Sequence, residues 1–141
     1  GCVCPENVIL KRIISYLVLH RDDVVILDME AGLEHLARGT TAGMDQFVVV
    51  VEPGARSIQT YKNVRRLAQE LGVRQVRVVA SKVRDEKDER FIMEKIPPED
   101  LLGLIHHDQK IMEADRLGIS PYDHSPALVD EIRPIIKKME V

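Results

Sequence analysis

The sequence predicts an α/β domain in which a parallel sheet carries helices on both faces, and three observations predict it. Short β-branched apolar runs recur at Val24–Leu27, Phe47–Val51 and Val76–Val83. Segments with helical spacing of apolar residues separate the later runs, and turn residues such as Glu52-Pro53-Gly54 and Gly72 punctuate the joins. Strands alternating with helices of ten or more residues are the pattern of βαβ units.

Each element has its own local reason. Pro5 at a helix's first position leads into Val8, Ile9, Ile13, Tyr16, Leu17 and His20, spacings of three and four that form one face, with Asp22 and Asp23 closing it. The run from Asp23 to Met29, closing on Asp28, reads as a strand buried on both faces with its acid at the carboxyl end. Residues 30 to 45 are glycine-dotted and polar, and Gln46 to Val51 is the next strand. Ser57 is read as the N-cap of a helix with Ile58, Tyr61, Val64, Ala68 and Leu71 on one face, ended by Gly72. Val76 to Val83 follows as a strand. The charged stretch Arg84 to Arg90 then reads as a solvated loop and helix start, with that short helix ended by Pro97-Pro98.

Leu101 to Ile105 is the last predicted strand, Asp108 caps a helix that Gly118 terminates, and Ser125-Pro126 opens a final helix through Leu128, Ile132, Ile135 and Met139. Pro134 inside that helix is expected to kink it, because an interior proline costs about 3 kcal/mol. No repeat, linker or second domain is evident, so residues 1–141 are read as a single domain. In such folds ligands bind at the carboxyl ends of the strands.

Composition removes several function classes. The chain has 141 residues, 45% of them apolar, enough for one domain that buries roughly 68% of the surface its unfolded chain exposes. Lysine and arginine number 20 against 23 acidic residues, and no basic block exceeds Lys137-Lys138, which argues against nucleic acid as a partner. No apolar run approaches the roughly 20 residues of a membrane span, so a cytoplasmic, membrane-free protein is expected. Two cysteines one residue apart cannot form the framework of a secreted domain. The sequence opens at Gly1 rather than methionine, and a fragment or processed product is expected.

Chemistry-bearing residues fall at the front and at three strand ends. In Cys2-Val3-Cys4 two thiols supply half of a four-ligand metal site, and a second copy of the chain is the simplest source of the rest. The alternative is a pair of incidental thiols. Asp28 followed by Gly32 suits a metal-water ligand and a backbone amide meeting a phosphate, since glycine alone lets the backbone come so close; the alternative is a structural turn. Glu52-Pro53 and Ser81-Lys82 stand at the next two strand ends. His106-His107-Asp108 looks like a metal cluster, but adjacent side chains at a strand end point to opposite sides and Asp108 serves as a cap, so the reading there is structural. His35, with Glu34 and Arg38, is either a switch-linked contact to nucleotide or partner or a plain loop histidine.

The stretch Asp28-Met-Glu-Ala-Gly-Leu-Glu-His-Leu-Ala-Arg-Gly-Thr40, continuing through Gly43-Met44-Asp45 to Glu52-Pro53 and Ser57-Ile58-x-Thr60, resembles the carbon monoxide dehydrogenase accessory ATPases of CooC type. These are members of the MinD-like branch of the P-loop nucleotidases. The resemblance spans the chain, from Cys2-Val3-Cys4 to Gly103-Leu-Ile-x-x-Asp108 and Ala114-Asp115-x-x-Gly118, and Glu34-His-x-x-Arg-Gly-Thr40 is its specific part.

The resemblance implies a partial MinD-like fold with Asp28 as the Walker-B-like acid on magnesium and Gly32 as the switch glycine near the γ-phosphate. It also implies that Ser81 and Lys82 form the base-side loop of an ATP/ADP site, with Glu52 and Pro53 alongside. Cys2 and Cys4 become the nickel or zinc ligands, joined across a homodimer, with carbon monoxide dehydrogenase as client. Two positions depart from the family pattern: Ser81 replaces an asparagine and His106 a proline. A larger departure is that no G-x-x-x-x-G-K-[ST] or glycine-rich lysine loop occurs in these 141 residues. This chain alone is therefore not expected to hydrolyse ATP. The expected function is a nucleotide-dependent metallochaperone for nickel insertion. The alternatives are a non-catalytic metal-binding dimerisation module and a MinD/ParA-like scaffold ATPase, the latter disfavoured by the absence of a strong basic amphipathic terminal helix.

Overall fold

The computed structural model describes residues 45–73 and 75–139, together with the single positions Val24, Ile26 and Asp28. Three parallel strands, β1 (Gln46–Val51), β2 (Gln75–Val83) and β3 (Leu101–His106), lie in sequential order in one sheet. Helix α1 (Ala55–Glu70) connects β1 to β2, and α2 (Glu86–Lys95) connects β2 to β3. After β3 come α3 (Gln109–Leu117), the single turn α4 (Pro121–His124) and α5 (Pro126–Met139).

Burial follows the pleat. Phe47 and Val51 of β1 and Val76, Val78 and Ala80 of β2 join Ile58, Tyr61, Val64 and Ala68 of α1 and Ile92 of α2 in one apolar cluster. Alternate residues point to opposite faces of a strand. Val79 accordingly leaves that cluster and meets Leu102 and Ile135 of α5 on the other side. With apolar clusters on both faces, the fold is the α/β architecture that the strand and helix pattern predicts.

Local chemistry sets the helix ends. The Asp85 carboxylate accepts from the backbone N–H groups of Lys87 and Asp88, so α2 starts inside the charged run. These bonds hold the Asp85 carboxyl below its usual range, the one from Asp88 counting most. Ile96 is extended, as the residue before Pro97 must be, and α2 stops there. Gly118 ends α3 in the left-handed region at φ 66°, where its N–H and that of Ile119 bond back to Asp115 and Ala114.

Two expectations are corrected. The N-cap of α1 is Gly54 without a side-chain bond; Ser57 lies inside the helix and its hydroxyl accepts the backbone N–H of Glu52 at 3.1 Å. The hydroxyl therefore braces the turn that enters the helix. Pro134 lies inside α5, as the sequence places it, and the helix continues past it to Met139. The run at 23–29, expected to be a buried strand, is described only at Val24, Ile26 and Asp28. None of these is in a strand, and Val24 and Ile26 are 84% and 81% exposed.

Candidate functional site at the strand ends

The carboxyl ends of β1 and β2 bring four of the predicted residues together. Glu52 and Pro53 follow β1, and Ser81 and Lys82 are the two residues before the last of β2. The Lys82 ammonium reaches the Glu52 carboxylate at 2.5 Å, both side chains being largely exposed. The Ser57 hydroxyl fixes the Glu52 backbone from the other side. Lys82 has φ 57°, the left-handed region that residues other than glycine enter at a cost of about 1 kcal/mol or more. The register between β2 and β3 slips across this point, between Ala80 and Val83. Strain, slip and ion pair coincide at the sheet end where open α/β folds bind ligands.

The other predicted residues are placed differently. Asp28 is exposed and has no described partner. Gly32, Cys2, Cys4, Glu34, His35 and Arg38 lie outside the described residues. Among the described residues no group of three or more His, Cys, Asp or Glu side chains could hold a metal ion. No helix among them is long and apolar enough to cross a membrane.

The tip of β3 carries a second constellation. His106 Nδ1 faces the Glu131 carboxylate of α5 at 2.7 Å, its Nε2 faces Glu89 of α2 at 3.2 Å, and its backbone N–H donates to the other Glu131 oxygen at 2.9 Å. Hydrogen bonds to Glu131 and then Glu89 raise the imidazole pKa above its ordinary value. His107 is exposed, its backbone N–H donates to the Val83 carbonyl, and it lines the same cleft as His106. Asp108 caps α3 through Lys110 N–H and accepts the Ser125 hydroxyl, which in turn caps α5 at Leu128. The Ser125 bond first, and the Lys110 bond next, hold the Asp108 carboxyl below its usual range. A cleft of about 310 Å³ opens beside these residues, lined among others by His106, Asp108, Ile111, Leu128 and Glu131. Glu89 and Glu131 carry no signal in the sequence, because nothing in their spacing marks them as neighbours of His106.

The three parallel strands with covering helices have the architecture of part of a P-loop nucleotidase-like domain. No protein-family model matches the chain. Comparison with curated proteins gives 40% identity over 136 residues to the carbon monoxide dehydrogenase accessory protein CooC of Rhodospirillum rubrum, covering 96% of this chain and 52% of that protein. An uncharacterised ATP-binding protein of Methanocaldococcus jannaschii is 40% identical over 121 residues, 84% of this chain and 47% of its own length. A second from the same organism is 29% identical over 137 residues, 97% of this chain and 53% of its own. The chain is thus a CooC-type relative, and it spans about half the length of the curated relatives it matches.

Proposed function

We propose that the chain is part of a nucleotide-dependent accessory protein for carbon monoxide dehydrogenase, acting as a carrier of the nickel that such an enzyme needs. The observation that carries this reading is the 40% identity to CooC across 96% of the chain. The ATP-binding names of the other relatives support the nucleotide half of it. In this reading Glu52, Pro53, Ser81 and Lys82 form the base side of an ATP/ADP site, while Asp28 acts on magnesium and Gly32 approaches the γ-phosphate. Two copies meet as a homodimer in the cytoplasm, and Cys2 and Cys4 of each hold nickel or zinc between them.

The chemistry is self-consistent. Four thiolates make a closed site for either metal, and a site split between two chains exists only while the chains are together. Nucleotide controls such a site if it binds the closed pair more tightly than the open one, and by no more than that difference in affinity. Glu52 and Lys82 suit a role at the base edge, one accepting and one donating hydrogen bonds, on a backbone already held by Ser57.

The test is a titration of the full chain with nickel and with zinc, with mass in solution measured alongside. One metal per two chains, lost in Cys2→Ser/Cys4→Ser, is the expected result. Binding that is unaffected by the double substitution sinks the metal half. Retained metal binding with no ATP or ADP binding favours instead a metal-binding dimerisation module, the reading to which the absence of a glycine-rich lysine loop from these 141 residues points.

A further inference from the structure

His106 occupies the last position of β3 and touches elements from opposite faces of the sheet. Helix α2 packs in the large cluster and α5 in the small one. Glu89 of α2 and Glu131 of α5 present carboxylate oxygens to the two ring nitrogens of His106, at 3.2 and 2.7 Å. A neutral imidazole has one N–H and one lone pair, so it can donate to only one of the two. The other nitrogen would then turn its lone pair on a carboxylate oxygen. Only the imidazolium, with two N–H groups, satisfies both sides of this geometry.

We infer that His106 is a protonation-operated clasp that ties α2 to α5 across the tip of β3 and opens when the imidazole loses its proton. This inference stands apart from the metal and nucleotide readings, since it uses neither the cysteines nor the Glu52 and Lys82 pair.

The charged groups facing the ring are Glu89 from α2 and Glu131 from α5. The neighbouring strand β2 offers the apolar Val83 as its register partner, and on the chain following β3 His107, Asp108 and Lys110 border the adjoining cleft. None of these three is bonded to the ring. Deprotonation leaves two carboxylates facing a neutral ring that can hold only one of them. Glu131 keeps its bond to the His106 backbone N–H, so Glu89 is the arm released first.

The sign of the pH effect follows from the direction of the shift. The folded pKa of His106 is raised, so the clasp's contribution is complete below the ordinary histidine pKa and is lost as pH rises through the folded value. Partial exposure of the ring, at 43%, keeps the effect modest. The elements it releases are the amino-terminal turn of α2 and the first turns of α5, and α5 lines the cleft beside the strand ends.

The experiment is a pH titration of the ring signals of His106 by NMR in the full chain, with amide hydrogen exchange followed over 86–90 and 126–131. We expect a midpoint above 6.5 that falls in both Glu131→Gln and Glu89→Gln, with the larger drop for Glu131. Beyond the ordinary pH dependence of exchange, protection of those amides should fall about threefold on crossing the midpoint, and this step should vanish in Glu89→Gln. A midpoint at or below 6.5 overturns the clasp, as does one that neither substitution moves. If Glu131→Gln fails to fold, the wild-type midpoint and the Glu89→Gln shift decide the matter.

Discussion

The two faces of the sheet are built differently. On one, α1 and α2 close over Phe47, Val51, Val76, Val78, Ala80 and Val83 in a continuous buried cluster. On the other, the buried cluster among the described residues is Val79, Leu102 and Ile135, and Val48 and Val50 of β1 are 38% and 65% exposed. Burial of apolar area at about 25 cal/mol per Å² makes the first face the main source of stability. The second face is held by a few close fits and polar ties, among them Lys138 Nζ donating to the Leu102 carbonyl at 2.6 Å and Glu131 at the tip of β3. The helix beside the candidate cleft is thus the one that meets the sheet through the smaller apolar cluster and these polar ties.

The sharpest way to break this asymmetry is a cavity on the thick face. Ile92 is fully buried between α2 and the sheet, and Ile92→Ala should cost about 3 kcal/mol in denaturant unfolding. A loss below about 1 kcal/mol would mean that this face collapses easily and is not the main core. On the thin face the corresponding test is overpacking. A Cβ at Gly103 would lie 2.6 Å from Ile135 Cγ1, so Gly103→Ala should cost about 2 kcal/mol. Combined with Ile135→Ala, which removes the clashing Cγ1, the loss should be smaller than the sum of the two single losses, and additive losses would show that the two residues are not in contact.

What the sequence told of this asymmetry depended on range. Elements and caps governed by neighbours a few residues away were legible: the β2 run, the Asp108 cap, the Gly118 stop and the α1 face through Ile58, Tyr61, Val64 and Ala68. Ser57 was misread because a hydroxyl near a helix start can brace the preceding turn as readily as cap the helix, and here Glu52 N–H is the donor it meets. The candidate site was legible only as a set of strand ends. That Glu52 and Lys82 pair needs the β1–β2 register, and nothing in a lysine announces a positive φ. The His106 partners lie 17 and 25 residues away on two helices of opposite faces, a relation no local spacing encodes.

A smaller effect probes the polar rim of the thick face. Tyr61 donates its hydroxyl to Asp100 at 2.5 Å, with Arg65 beside both. Burial first, and then the Asp100 bond, push the tyrosine pKa to about 12. Because the folded value is raised, this contribution is intact below pH 10 and is lost as pH climbs through about 12. Phenolate absorbance of Tyr61 should therefore appear above the ordinary tyrosine value of 10.0 in an alkaline titration, identified by its loss in Tyr61→Phe, which should cost about 1 kcal/mol at neutral pH. Ionisation of Tyr61 at the ordinary tyrosine value would show that the bond to Asp100 does not hold its proton.

The smallest expected change in stability lies at the candidate site itself, and it separates strain from binding. Lys82→Gly relieves a left-handed φ worth about 1 kcal/mol and gives up an exposed ion pair to Glu52 worth at most about 0.5 kcal/mol. The variant should therefore unfold at equal or slightly higher denaturant concentration than the parent. Lys82→Ala keeps the strain and loses the pair, so it should fall slightly below the parent. If the glycine variant is the less stable of the two, the strain at Lys82 is not real. If both variants bind ATP and ADP as the parent does, the strained lysine is a structural peculiarity and the base-side role proposed for it is wrong. Weaker nucleotide binding in both, against opposite changes in stability, is the signature of a residue held in an unfavourable conformation for its ligand.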